Sequence, residues 1–112
     1  MDVDDVIYRP LSDLLFEVGA RYGRPMLIAE TGTEGDRRGS WFDYVAAETL
    51  RARARGVPVE GICLYPVANH FGWDNDRLCP NGLLSHDPSG GARPVDAGLL
   101  AALRRSGLVS GR

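Results

Sequence analysis

Glu30 follows directly on an apolar run, Pro25-Met26-Leu27-Ile28-Ala29. A carboxylate at the end of a strand can be held rigidly beside a cleft, which suits nucleophilic or acid/base work. It equally suits a turn cap or an arginine partner, and the residues leave that choice open. A second segment runs from Tyr65 to Arg77 and interleaves Tyr65, Phe71 and Trp73 with Asn69, His70, Asp74, Asn75 and Asp76. Rings beside hydrogen-bonding groups suit a ligand with apolar ring faces and many hydroxyls, such as a sugar. The plainer alternative is a folded loop anchored by Phe71 and Trp73, with His70 as a structural hydrogen-bonder.

Other chemistries find less support. Glu34 and Asp36 read as a solvated rim or as arginine-paired caps. The Asp74-Asn75-Asp76 run carries an Asp-x-Asp pattern but lacks the glycine and terminal glutamate of a calcium loop, so no metal or other cofactor is expected. Cys63 lies inside an apolar run and reads as a buried small hydrophobe; Cys79 sits in a Leu-Cys-Pro-Asn loop and reads as exposed. No base stands beside either thiol in the sequence.

These residues sit in a chain of 112 residues, enough for one small domain and too short for a whole (β/α)₈ barrel of about 250. The chain is 44% apolar and 25% charged, the composition of a folded globular protein. Its net charge of -2 disfavours a nucleic-acid partner. All 13 basic residues are arginine, which excludes Schiff-base lysine chemistry and a phosphate-loop lysine. No apolar run approaches the ~20 residues that span a bilayer, so no membrane partner is expected. The acidic start, MDVDDVIYRP, lacks a signal peptide's features, and two cysteines make no disulfide framework; a cytoplasmic location follows.

Punctuation and periodicity supply the elements. Residues 1–9 read as a lead-in loop. Leu11, Leu14, Leu15, Val18 and Tyr22 form a helical stripe expected to face a core, with Pro10 before it and Gly23 after it. Residues 25–29 read as a strand apolar on both faces. Ser40 reads as the N-cap of a helix over 41–55, and Gly56 as its stop. Pro58 suits entry to a second strand at 61–65, also buried on both faces. Residues 66–94 read as a long irregular segment broken by Pro66, Pro80, Pro88 and Pro94. Val95 or Asp96 opens a last helix to about Ser106, and 107–112 form a tail. Alternating helices and strands imply a parallel sheet joined by crossover helices. Two strands alone make a poor sheet, so either self-association or an upstream portion is expected to complete it.

In this setting two motifs carry a resemblance. Ile28-Ala29-Glu30-Thr31-Gly32 is similar to the nucleophile motif at the seventh strand of clan A glycoside hydrolases. Tyr65-Pro66-Val67-Ala68-Asn69-His70-Phe71-Gly72-Trp73 resembles the eighth-strand motif of family 1 β-glycosidases, Trp-Ser-Leu-x-Asp-Asn-Phe-Glu-Trp. Asn81-Gly82-Leu83 is similar to that family's closing Phe-Gly-Leu. The resemblance implies an α/β fold, a partial (β/α)₈ TIM barrel: residues 10–106 would be its last two βα units with the preceding helix. It implies retaining hydrolysis of β-glycosidic bonds with Glu30 as nucleophile, and Tyr65, Asn69, His70 and Trp73 as substrate-binding residues. Two departures stand out: Tyr65 replaces a tryptophan, and Gly72 replaces a sugar-binding glutamate. The second carboxyl group would lie after the fourth strand, outside this sequence. The chain alone is therefore expected to be inactive, as a fragment or truncated product, or to act as a non-catalytic carbohydrate-binding or interaction module.

Overall fold

A computed structural model describes residues 8–72, 76–85 and 90–107. Helix α1 spans Leu11–Tyr22, strand β1 Met26–Thr31, helix α2 Arg38–Ala54 and strand β2 Val59–Leu64. Two short strands follow, β3 at His70–Phe71 and β4 at Leu78–Cys79, and helix α3 at Ala97–Ser106 completes the order.

Strands β1 and β2 pair in parallel, with Leu27 opposite Gly61 and Ile28 opposite Ile62. A parallel pair needs a crossover, and α2 supplies it. Strands β3 and β4 pair antiparallel in a separate ribbon, with His70 opposite Cys79.

The core lies on one side of the β1–β2 sheet. Phe42 and Ala46 of α2 pack with Leu99 and Ala102 of α3, and Ile62 and Leu64 close that cluster. Ala52, Val57 and Val59 form a second cluster with Leu15, Met26 and Ile28. The other face is open: Leu27 is 57% exposed, and Ala29 and Cys63 are exposed with it. Burial on both faces, expected from the apolar runs, is thus corrected to burial on one. Side chains alternate along a strand, and only one face meets helices of this chain. The same alternation reverses the expectation for the thiols: Cys63 is exposed on the open face, whereas Cys79 is buried in β4.

Helix α1 also departs from its apolar stripe. Leu14, Val18 and Tyr22 are 40%, 45% and 66% exposed. Leu15 of the stripe packs against Ala52, Val57 and Val59, and smaller residues supply further close contacts. Ser12 is buried, and a Cβ on Gly19 would stand 3.2 Å from Val57 Cγ1. Ser12 donates from its backbone N–H (3.3 Å) and its hydroxyl (3.0 Å) to Oε1 of Glu48, whose other oxygen pairs with Arg51. The face that α1 presents to α2 thus combines Leu15 of the stripe with the polar contact of Ser12 to Glu48.

The helix termini follow their punctuation with one exception. Gly23 (φ 61°) closes α1 and Gly107 (φ 66°) closes α3, both in the left-handed conformation that favours glycine. Asp96 caps α3 by accepting from Leu99 N–H at 2.8 Å. Ser40 is not a cap: α2 begins at Arg38, after a 3-10 turn at Gly35–Arg37, and the Ser40 hydroxyl donates to Arg37 O. Arg38 ties three segments together. Its Nε donates to Gly35 O at 2.8 Å, one Nη to Gly82 O at 2.8 Å, and the other Nη pairs with Asp96 at 2.7 Å.

Candidate functional site

The carboxyl ends of β1 and β2 open into a pocket of about 610 Å³ whose lining includes Glu30, Glu34, Trp41, Tyr65, His70 and Asn81. Loops converge at this end of parallel strands, so it is where such sheets build sites. Backbone contact fixes the two strand ends against each other. Tyr65 N–H donates to Thr31 O at 3.0 Å. A Cβ on Gly32 would lie 2.1 Å from Tyr65 O, so only glycine permits this approach. The peptide between Tyr65 and Pro66 is cis.

Glu30 is exposed at the pocket edge. Among the described residues it neither caps a turn nor pairs with an arginine. Glu34 behaves differently. Arg77 grips it with two bonds, 2.8 Å to Oε1 and 3.2 Å to Oε2. The hydrogen-bonded guanidinium holds the Glu34 carboxyl below its ordinary value of 4.5, and the Arg77 pKa is raised in turn. The contribution of this carboxyl to stability is complete above the ordinary carboxylate value and is lost as the pH falls through the lowered one. A carboxyl NMR titration is expected to give Glu34 a midpoint below 4.5 that rises toward 4.5 in Arg77→Ala.

His70 sits in the pocket wall with both ring nitrogens engaged. Nδ1 lies 2.9 Å from Phe71 O, which can only accept, so Nδ1 carries the proton. In the neutral ring Nε2 then accepts from Asn81 Nδ2 at 3.1 Å. That contact turns Asn81 Oδ1 into a buried position with no partner among the described residues. The Tyr65 ring lies 6.0 Å from the His70 ring and is 43% exposed.

Of the residues singled out from sequence, Glu30, Tyr65 and His70 line one pocket. Asn69 is directed elsewhere. It is buried, and its Oδ1 accepts from Gly82 N–H at 2.6 Å, which holds the segment carrying Asn81 in place. Trp73 and Asp74 lie outside the described residues. Trp41 and Asn81 also line the pocket. Trp41 stands in the first turn of α2, where an aromatic just past a strand-end loop was the available signal. Asn81 drew notice only as part of the Asn-Gly-Leu motif. Among the described residues no three His, Cys, Asp or Glu side chains come together as a metal site.

The architecture and pocket define an α/β protein with parallel strands and a site at their carboxyl ends, consistent with part of a (β/α)₈ barrel. Comparison with solved structures agrees. The chain matches the β-glycosidase of the hyperthermophile Thermosphaera aggregans with a TM-score of 0.71 and 22% identity, over 87% of this chain and 21% of that one. It matches the family 1 β-glucosidase of Thermotoga maritima with a TM-score of 0.71 and 19% identity, over 89% of this chain and 26% of that one. An aphid myrosinase matches with a TM-score of 0.74 and 20% identity, over 96% of this chain and 26% of that one. The chain thus resembles a portion of a family 1 β-glycosidase and spans about a quarter of the length of these neighbours. No family model and no curated protein matches it. Among the described residues no helix is long and apolar enough to cross a membrane.

Proposed function

We propose that the chain is the nucleophile-bearing portion of a retaining β-glycosidase, with β1 and β2 as the seventh and eighth strands of its barrel. The observation that carries this reading is the placement of Glu30. Among the described residues it is a carboxylate without a partner, near the end of β1, in a pocket shared with Tyr65 from the end of the next parallel strand. Glu30 Oε would attack the anomeric carbon as the bond to the leaving oxygen breaks, and water would later hydrolyse the glycosyl ester. Tyr65 would stack on the sugar, and His70, with both ring nitrogens engaged, would join Asn69 in positioning the wall that carries Asn81. The β-glucosidase of Thermotoga maritima, one of the neighbours, is known in complex with deoxynojirimycin, in line with a carbohydrate substrate.

Retaining hydrolysis needs a second carboxyl group about 5–5.5 Å from the first to protonate the leaving group. Glu34 has both carboxylate oxygens bonded to Arg77, an arrangement that suits a structural pair more than a proton donor. On this reading the acid/base would come from a further portion of the barrel, whose strands, or a second copy, would also cover the open sheet face. The same Glu34–Arg77 pair favours a second reading, in which the chain by itself binds carbohydrate without hydrolysing it.

Assay of the 112-residue chain with aryl β-glycosides tests the division of roles. No sustained turnover is expected. Sustained turnover lost in Glu30→Gln would keep the nucleophile and remove the need for an outside acid; turnover that survives Glu30→Gln would overturn the reading.

A further inference from the structure

His70 and Asn81 meet beside the β3–β4 ribbon with their bonding capacities mismatched. Nδ1 of His70 lies 2.9 Å from Phe71 O, and Nε2 lies 3.1 Å from Nδ2 of Asn81. With the ring neutral, this leaves Asn81 Oδ1 buried and without a partner among the described residues. The other neutral tautomer gives no relief, because it sets the Nδ1 lone pair against the Phe71 carbonyl. Only the doubly protonated ring offers a donor to each acceptor: Nδ1–H to Phe71 O, and Nε2–H to Asn81 Oδ1 once the amide has turned over. The backbone around Asn81 is held in place. Asn81 N–H donates to Cys79 O at 2.9 Å, Gly82 N–H donates to Asn69 Oδ1 at 2.6 Å, and Gly82 O accepts from Arg38 at 2.8 Å. Rotation of the side-chain amide is the freedom that remains.

We infer that His70 and Asn81 form a proton-operated switch in the pocket wall. With the ring neutral, Asn81 Nδ2 donates to Nε2, and Oδ1 occupies the buried position. One proton added at Nε2 makes that nitrogen a donor, and two donors cannot face each other. The amide then turns end for end. Oδ1 accepts from Nε2–H, and Nδ2 takes the buried position. The wall thus holds an acceptor there when the ring is neutral, and a donor beside a positive charge when it is not. Glu30, in the same lining, and Glu34, close enough to feel the ring's charge, favour the charged form; Arg77, which holds Glu34, opposes it. Cys79, opposite His70 in the ribbon, and Tyr65, with its ring 6.0 Å away, are the other titratable side chains against it.

The test is NMR of the whole chain, without sugar, from about pH 8 to about pH 5, the span in which histidine side chains as a class change charge. At the upper end the Asn81 side-chain NH₂ protons are expected to show NOE contacts to both carbon-bound ring protons of His70. Those contacts are expected to weaken severalfold, and the NH₂ signals to shift, with the same midpoint as the His70 ring nitrogens. In His70→Phe the NH₂ signals are expected to stay in place across the span. Contacts undiminished once the ring is charged, a ring that stays neutral throughout, or NH₂ signals that still move in His70→Phe would each overturn the switch. If His70→Phe does not fold, the wild-type contacts decide alone. No ligand enters the measurement, so its result is separate from the glycoside reading.

Discussion

Arg38→Met is expected to lower the melting temperature by roughly 10 °C, a loss of about 2–3 kcal/mol. The Arg38 side chain is only 11% exposed, and Asp96 only 22%. Removing the guanidinium strands a mostly buried carboxylate and leaves Gly35 O and Gly82 O without this donor. Stranding a fully buried charge costs about 3–5 kcal/mol, and the residual exposure of Asp96 reduces that figure. The effect reaches the pocket because Arg38 joins the loop after β1, the segment beside Asn81 and the cap of α3. Thermal unfolding followed by circular dichroism checks it. Arg38→Lys is expected to recover part of the loss, since an ammonium can meet the carboxylate but cannot reproduce the three-way grip.

The second large effect is expected at Gly32. In Gly32→Ala the new Cβ would fall 2.1 Å from the carbonyl oxygen of Tyr65. That neighbour is backbone, so no side-chain rotation relieves the clash. The ends of β1 and β2 must separate, at a cost of about 1–3 kcal/mol. The hydrogen bond from Tyr65 N–H to Thr31 O is the first contact to go. Amide exchange at Tyr65 is expected to accelerate, and pocket binding to weaken, because this contact helps to hold Glu30 and Tyr65 in their relative placement.

The order of elements could be read from the sequence because their boundaries are set by local chemistry. Pro10, Gly23, Pro58, Asp96 and Gly107 each act within a turn or two of where they stand, and each marks a real boundary. The site's outline was readable for a similar reason. Glu30 and Tyr65 end apolar runs, and parallel strands bring such ends together.

What could not be read depends on partners distant in sequence. The stripe Leu11, Leu14, Leu15, Val18 and Tyr22 indicates a core face for α1; Leu15 does pack against the core, but Leu14, Val18 and Tyr22 are exposed because the helix turns toward α2 through Ser12 and Glu48, 36 residues apart. The exposure of Cys63 follows from which sheet face lacks a helix, and an apolar run does not record that. Ser40 had the right residue type for a cap but stands two residues inside a helix whose start the 3-10 turn moves upstream. Asn69 and Asn81 are the same residue type in one polar stretch. Only the packing of Gly82 against the backbone of Ala68 decides that Asn69 is buried while Asn81 lines the pocket.

Everything functional depends on the carboxylate of Glu30 meeting an anomeric carbon. A 2-deoxy-2-fluoro-β-glucoside with a dinitrophenolate leaving group tests that directly. The phenolate departs with its electron pair and needs no proton, so the missing acid is bypassed. The fluorine slows hydrolysis of the glycosyl ester, so the ester accumulates. The expected result is a single glycosyl mass added slowly to the chain, mapped by peptide sequencing to Glu30, present in Glu34→Gln and absent in Glu30→Gln. An adduct that forms equally in Glu30→Gln, or no adduct on wild-type chain at concentrations where the sugar occupies the pocket, would contradict the nucleophile assignment.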